Sequence, residues 1–202
     1  MLTSTYTLVA LSVEQTSARA ALQALLDELQ ALPGAPDTLA ADRAAALCGM
    51  LRRVYDDCHW RKLDKFLVPA LRCHTCAADG LLDALETLSS QAAEAMVEAE
   101  AELGDGADPV PRAAFGAAVE RCVAALRLRL EREEHELFPL ARSAVGNDAW
   151  FALANQMMAH DAYARERRAP SRSPGAPELP PGAERLPAEA GRWRQALPAA
   201  AH

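Results

Sequence analysis

The sequence is poor in what builds sheets. Aromatic residues make up only 5% of its 202 positions and β-branched residues are scarce, so strands would have little to pack with. Long apolar runs are missing too, and nothing reads as a membrane span. The apolar stretch Tyr6 to Leu11 has no lysine or arginine before it and is too short for the core of an export signal. There is no basic excess: the formal net charge is −7, which argues against a nucleic-acid partner, and the basic run Arg165 to Arg168 is too small to change that. Nor is there an even cysteine framework. The five cysteines, Cys48, Cys58, Cys73, Cys76 and Cys122, read as reduced, mostly buried thiols of a cytoplasmic protein.

What is present is the composition of packed helices. Half the residues are apolar, much of that alanine, mixed with leucine, glutamate and arginine. Punctuation divides the chain. A first helix is expected from about Ser12, where Ser12 to Gln15 fits a capping box, to Leu32, and Pro33 to Pro36 ends it. A second runs from Asp37 or Thr38 to Cys76 with Leu47, Leu51, Val54, Cys58, Leu63, Leu67 and Leu71 inward. A third covers Leu81 to about Leu103 and a fourth about Arg112 to Ala144, followed by a short fifth ending near Arg167. Short connections favour antiparallel neighbours. The expected fold is therefore all-α: an up-down-up-down four-helix bundle over 1–168, with a short fifth helix. Ala18, Leu25, Leu51, Leu63, Leu67, Leu85, Leu126, Leu130 and Leu137 are assigned to its core. Seven of the thirteen prolines lie in 169–202, which reads as a Pro/Ala-rich, disordered tail.

The second and fourth helices contain an internal repeat. HWRKLDKFLVPAL from His59 and RLEREEHELFPLA from Arg129 share a basic fourth position, Lys62 or Arg132, and an acidic sixth, Asp64 or Glu134. Each also has a proline ten residues after its start, Pro69 or Pro139. Such a proline weakens helical hydrogen bonding and marks a kink or last turn. These segments resemble the HHxKEDxxLFPxL and HMxREExxLFPLA stretches of hemerythrin-like proteins, and Gly146 to Trp150 is similar to that family's continuation. The resemblance covers roughly residues 10 to 160. It implies a bundle in which each copy supplies a histidine and a glutamate four residues later, on one helix face. Lone histidines from the first and third helices complete a non-haem di-iron centre bridged by carboxylates. Members bind or sense oxygen, or handle iron and nitric oxide.

Carried over residue by residue, most of that ligand set is lost. His59 is kept in the first copy, but its glutamate position is Leu63. Glu133 is kept in the second, but its histidine position is Arg129. The family's Glu-His pair on the first helix falls on Glu14 and Gln15, and that on the third on Leu88 and Ser89. Two surviving donors are too few for iron. The expected function is a non-enzymatic regulatory or interaction module without a cofactor, acting as a homodimer or with another protein, and with no nucleic-acid or membrane partner. The alternative is a hemerythrin-like protein holding iron through a shifted ligand set.

Three side-chain groups carry competing readings. His59 is either a residual ligand or an ordinary packed residue. Arg129 and Glu133 either form an inward pair, the guanidinium replacing the lost cation, or are solvated neighbours. Cys73, His74 and Cys76 have the spacing of a thiol or zinc site but sit at a helix end without a second half-site nearby in sequence. Glu94, Glu98, Glu100 and Glu102 read as a solvated face, and His135 and His160 as surface residues.

Overall fold

The structure is a computed structural model that describes residues 2–31, 37–59, 61–105 and 108–168. The expected tail, 169–202, lies outside the described residues. Those described form seven α-helices: α1 Leu2–Gln30, α2 Ala41–His59, α3 Val68–His74, α4 Asp79–Ala101, α5 Arg112–Arg132, α6 Phe138–Ala144 and α7 Asn147–Arg168. A π-helical turn at Leu63–Leu67 leads into α3, and a second at Glu133–Leu137 joins α5 to α6. The result is five columns: α1, α2 with α3, α4, α5 with α6, and α7, with α7 packed against α1. Among the described residues, no helix is long and apolar enough to cross a membrane.

Both π turns have the same cause. Pro69 and Pro139 stand in the first turn of α3 and of α6. Each lacks the N–H that would bond the carbonyl four residues back, and its ring crowds that carbonyl. Widening the preceding turn relieves the clash, and Val68 and Phe138 donate instead to Leu63 and Glu133, five residues back.

Several boundaries differ from expectation for readable reasons. α1 begins ten residues before Ser12, whose hydroxyl donates back to the Leu8 carbonyl at 2.9 Å instead of capping a helix. Leu8 and Leu11 are thereby buried against α7. The second column is not one helix: α2 stops at His59, and Arg61 lies outside any helix. α7 is 22 residues long rather than short. Thr38–Leu39 and Val110–Pro111 pair as a two-residue antiparallel ladder that ties the two loops at one end of the bundle.

All nine residues assigned to the core are buried. The core itself is divided. One apolar cluster holds Ala18 to Leu29 of α1 with α2, the second half of α4 and α5. The other holds Leu8 and Leu11 of α1 with the first π turn, α3, the start of α4, α6 and α7. Between them, each of the first four columns has a buried polar side chain: Gln15, Arg61, Ser89 and Glu133 with Arg129. The bundle thus carries a polar layer across its middle.

Candidate functional site

The layer is organised around Glu133, which is 0% exposed. A carboxylate buried so completely needs cationic and hydrogen-bonding partners. Arg61, 5% exposed, supplies the main one as a fork: Nη1 donates to Oε2 at 2.7 Å and Nη2 to Oε1 at 2.5 Å. Its third donor, Nε, bonds the Cys58 carbonyl at 2.8 Å and so satisfies one of the open carbonyls at the end of α2. Gln15 Nε2 donates to Glu133 Oε2 at 2.9 Å and also reaches the Leu130 carbonyl at 3.4 Å.

A second ion pair flanks the first. Arg129 Nη2 is bonded to Asp64 Oδ1, and its Nε lies 3.1 Å from Glu133 Oε1 without hydrogen-bond alignment. Burial raises the Asp64 carboxyl above its ordinary value, opposed by the pull of Arg129 and Arg61. Burial would lower the Arg61 pKa, but the charge and hydrogen bonds of Glu133, with Asp64, hold it above the ordinary value. The network therefore contains two guanidinium groups and two carboxylates. On the outside, Lys62 Nζ bridges Glu14 at 3.2 Å and Asp161 at 2.9 Å, tying α1 and α7 to the first π turn.

The residues singled out in the sequence as site candidates fall into four groups. Gln15, Arg129 and Glu133 meet in the network. His59 and Ser89 line a cavity of about 340 Å³ beside it, together with Arg61, Asp64, Glu86 and Arg129. Within that group Ser89 is buried and donates to the Leu85 carbonyl at 3.1 Å, whereas His59 is exposed and stacks on Tyr55 with ring centroids 5.9 Å apart. Leu63 is fully buried in the apolar cluster containing α7. Cys73, His74 and Cys76 are exposed at the end of α3, apart from the network. Of the residues read as solvated, Glu98 and Glu100 form exposed ion pairs with Arg121 and Arg52. His135 is exposed, while His160 is half-buried in a T-shaped contact with Phe66.

The sequence leaves Arg129 as either an inward partner of Glu133 or a solvated neighbour, and Arg61 is not among its candidates. A signal was available. The inward residues of the second column run Leu51, Val54, Cys58, Leu63, Leu67, and the step of five from Cys58 to Leu63 does not fit one face of an unbroken α-helix. The interruption that absorbs this step turns Arg61 inward.

These residues do not fit the di-iron centre that the resemblance implies. The one inward carboxylate of the family set has both oxygens engaged by Arg61 and one also by Gln15. Two guanidinium charges within the same layer would repel a metal cation. Among the described residues, no three histidine, cysteine, aspartate or glutamate side chains are grouped so as to hold a metal ion.

No curated protein and no solved structure matches the chain. The sequence pattern of the hemerythrin HHE cation binding domain matches residues 17–141. That span holds Arg61, Asp64, Ser89, Arg129 and Glu133, together with both π turns. The chain belongs to the hemerythrin HHE cation binding domain family.

Proposed function

We propose that this protein is a hemerythrin-fold module that carries its own cation: the Arg61 guanidinium holds Glu133 in the middle of the bundle, and the protein works as a non-enzymatic regulatory or interaction domain without iron. The observation that carries this reading is the two-pronged hydrogen bond from Arg61 to Glu133 at 2.7 and 2.5 Å. Arginine remains charged at any pH the protein meets, and its planar fork matches a carboxylate. A metal would have to displace that fork, and Arg61 would then be a buried charge without its partner.

A bundle centre closed in this way leaves the outer faces to carry the function. Metal analysis of protein purified natively from cells grown with iron tests the proposal. The expected result is far less than one iron per chain and no near-ultraviolet oxo-bridge absorption. About two irons per chain, with that absorption, would establish the di-iron alternative instead.

A further inference from the structure

The five cysteines separate into two chemical kinds. Cys48, Cys58 and Cys122 are buried, whereas Cys73 and Cys76 are exposed. Burial pushes the Cys58 thiol up to about 11 and the Cys122 thiol up to about 12, so both stay protonated and unreactive near neutral pH. The two accessible thiols are also the two that lie three residues apart.

The chain between them turns from one helix towards the next. Cys73 is in the last turn of α3, and Thr75 leaves the helix with φ −158° and ψ 133°. The Thr75 hydroxyl then accepts the Ala77 N–H at 3.1 Å, capping a short 3₁₀ turn, Cys76–Ala78, that continues into α4. Between the thiols therefore lie His74, the last residue of α3, and Thr75, where the chain leaves the helix. Closing a disulfide between them requires the backbone to rearrange at Thr75, which caps both the end of α3 and the 3₁₀ turn. His74 is fixed beside them by its Nδ1 contact with the Ala70 carbonyl at 2.7 Å.

The surroundings distinguish the two. A groove of about 550 Å³ between α3 and α7 is lined by Lys65, Phe66, Cys73, His74, Leu153 and Gln156 among others, and Cys76 is not part of it. Its apolar floor and the Lys65 ammonium suit a small organic molecule bearing a carboxylate.

We propose that Cys73 and Cys76 form a reversible dithiol–disulfide site whose co-reactant is a low-molecular-weight disulfide, with Cys73 as the entry thiol and Cys76 as the resolving thiol. The Cys73 thiolate attacks one sulfur of the small disulfide, forming a mixed disulfide and expelling one thiolate. The Cys76 thiolate then attacks Cys73 Sγ, closing the intramolecular disulfide and expelling the second. The protein loses two electrons and two protons, and the small disulfide becomes two thiols. The site is independent of the buried ion network and of the function proposed for it.

Equilibrating the full chain in buffers of reduced and oxidised glutathione, followed by alkylation and peptide mass spectrometry, tests this. A Cys73–Cys76 disulfide is expected to appear and disappear reversibly with the ratio, with Cys48, Cys58 and Cys122 remaining reduced. Cys76→Ser should trap a glutathione adduct on Cys73 and do so faster than Cys73→Ser traps one on Cys76. Both thiols are on the surface, so the variants should keep the helical circular-dichroism signal of the parent. A chain whose Cys73 and Cys76 stay reduced, or gain only separate glutathione adducts, overturns the proposal. Faster trapping on Cys76 overturns the assignment of the entry thiol.

Discussion

The two copies of the repeated helix segment place their aligned residues alike in one half and differently in the other. Leu63 and Glu133 are equivalent, and each opens a π turn with its side chain fully buried. Leu67 and Leu137 match in the same way. Upstream the equivalence fails. His59 is exposed where Arg129 is buried, Arg61 is buried where Glu131 is exposed, and Cys58 is buried where Leu128 is exposed. The second copy is one unbroken run from α5 through its π turn, whereas in the first α2 stops at His59 and Arg61 lies outside any helix. A break of this size rotates everything before it relative to everything after it. Conserved spacing between two segments therefore fixes where side chains point only as far as the backbone is continuous.

The comparison can be broken most severely at Arg61 and its counterpart. Arg61→Ala removes the fork and leaves Glu133 buried with weaker partners, so urea unfolding should show a loss of about 3–5 kcal/mol. Glu131→Ala, at the equivalent exposed position, should stay within about 0.5 kcal/mol. Replacing both members of the pair, Arg61→Met with Glu133→Leu, should restore stability to near that of the parent, because no charge is left unpaired.

A smaller effect is expected at Gln15, which serves only the second copy. Gln15→Ala removes a 2.9 Å hydrogen bond to Glu133 Oε2 and should cost about 1–3 kcal/mol in the same unfolding measurement. Equal stability of parent and variant would mean that Arg61 and Arg129 satisfy Glu133 without the amide.

The smallest effect concerns Cys58, buried where the second copy exposes Leu128. Burial raises its thiol from 9.0 to about 11, so the native chain keeps a proton that the unfolded chain releases. The stabilisation from this group is complete below pH 9 and is lost as pH rises through about 11. By pH 10 it should have fallen by about 1.4 kcal/mol. Cys58→Ala should show a shallower alkaline decline, whatever its stability at neutral pH, and an unchanged decline would place the thiol's titration elsewhere.

Much of the fold could be read from the sequence because helical periodicity and Pro/Gly punctuation report burial directly. Every assigned core position from Ala18 to Leu137 is buried for that reason. The start of α1 was misread because Ser12 has the chemistry of a cap, and only the Leu8 carbonyl beside it in space shows that the helix has already begun. The identity of the Glu133 partner was harder to read. Arg129 lies four residues away on the same column, whereas Arg61 comes from another column, at a position outside any helix. Ser89 and Gln15 were identified only through the family resemblance, since neither residue type advertises a buried layer on its own.

The claim that a guanidinium stands in for the family's cation is open to chemical rescue. Free guanidinium, at concentrations too low to denature the protein, would be added to the Arg61→Ala variant while its thermal unfolding midpoint is followed. The account predicts that the midpoint rises toward that of the parent, while the Arg61→Met/Glu133→Leu variant does not respond. No recovery with guanidinium, or recovery with ferrous iron in its place, would contradict it.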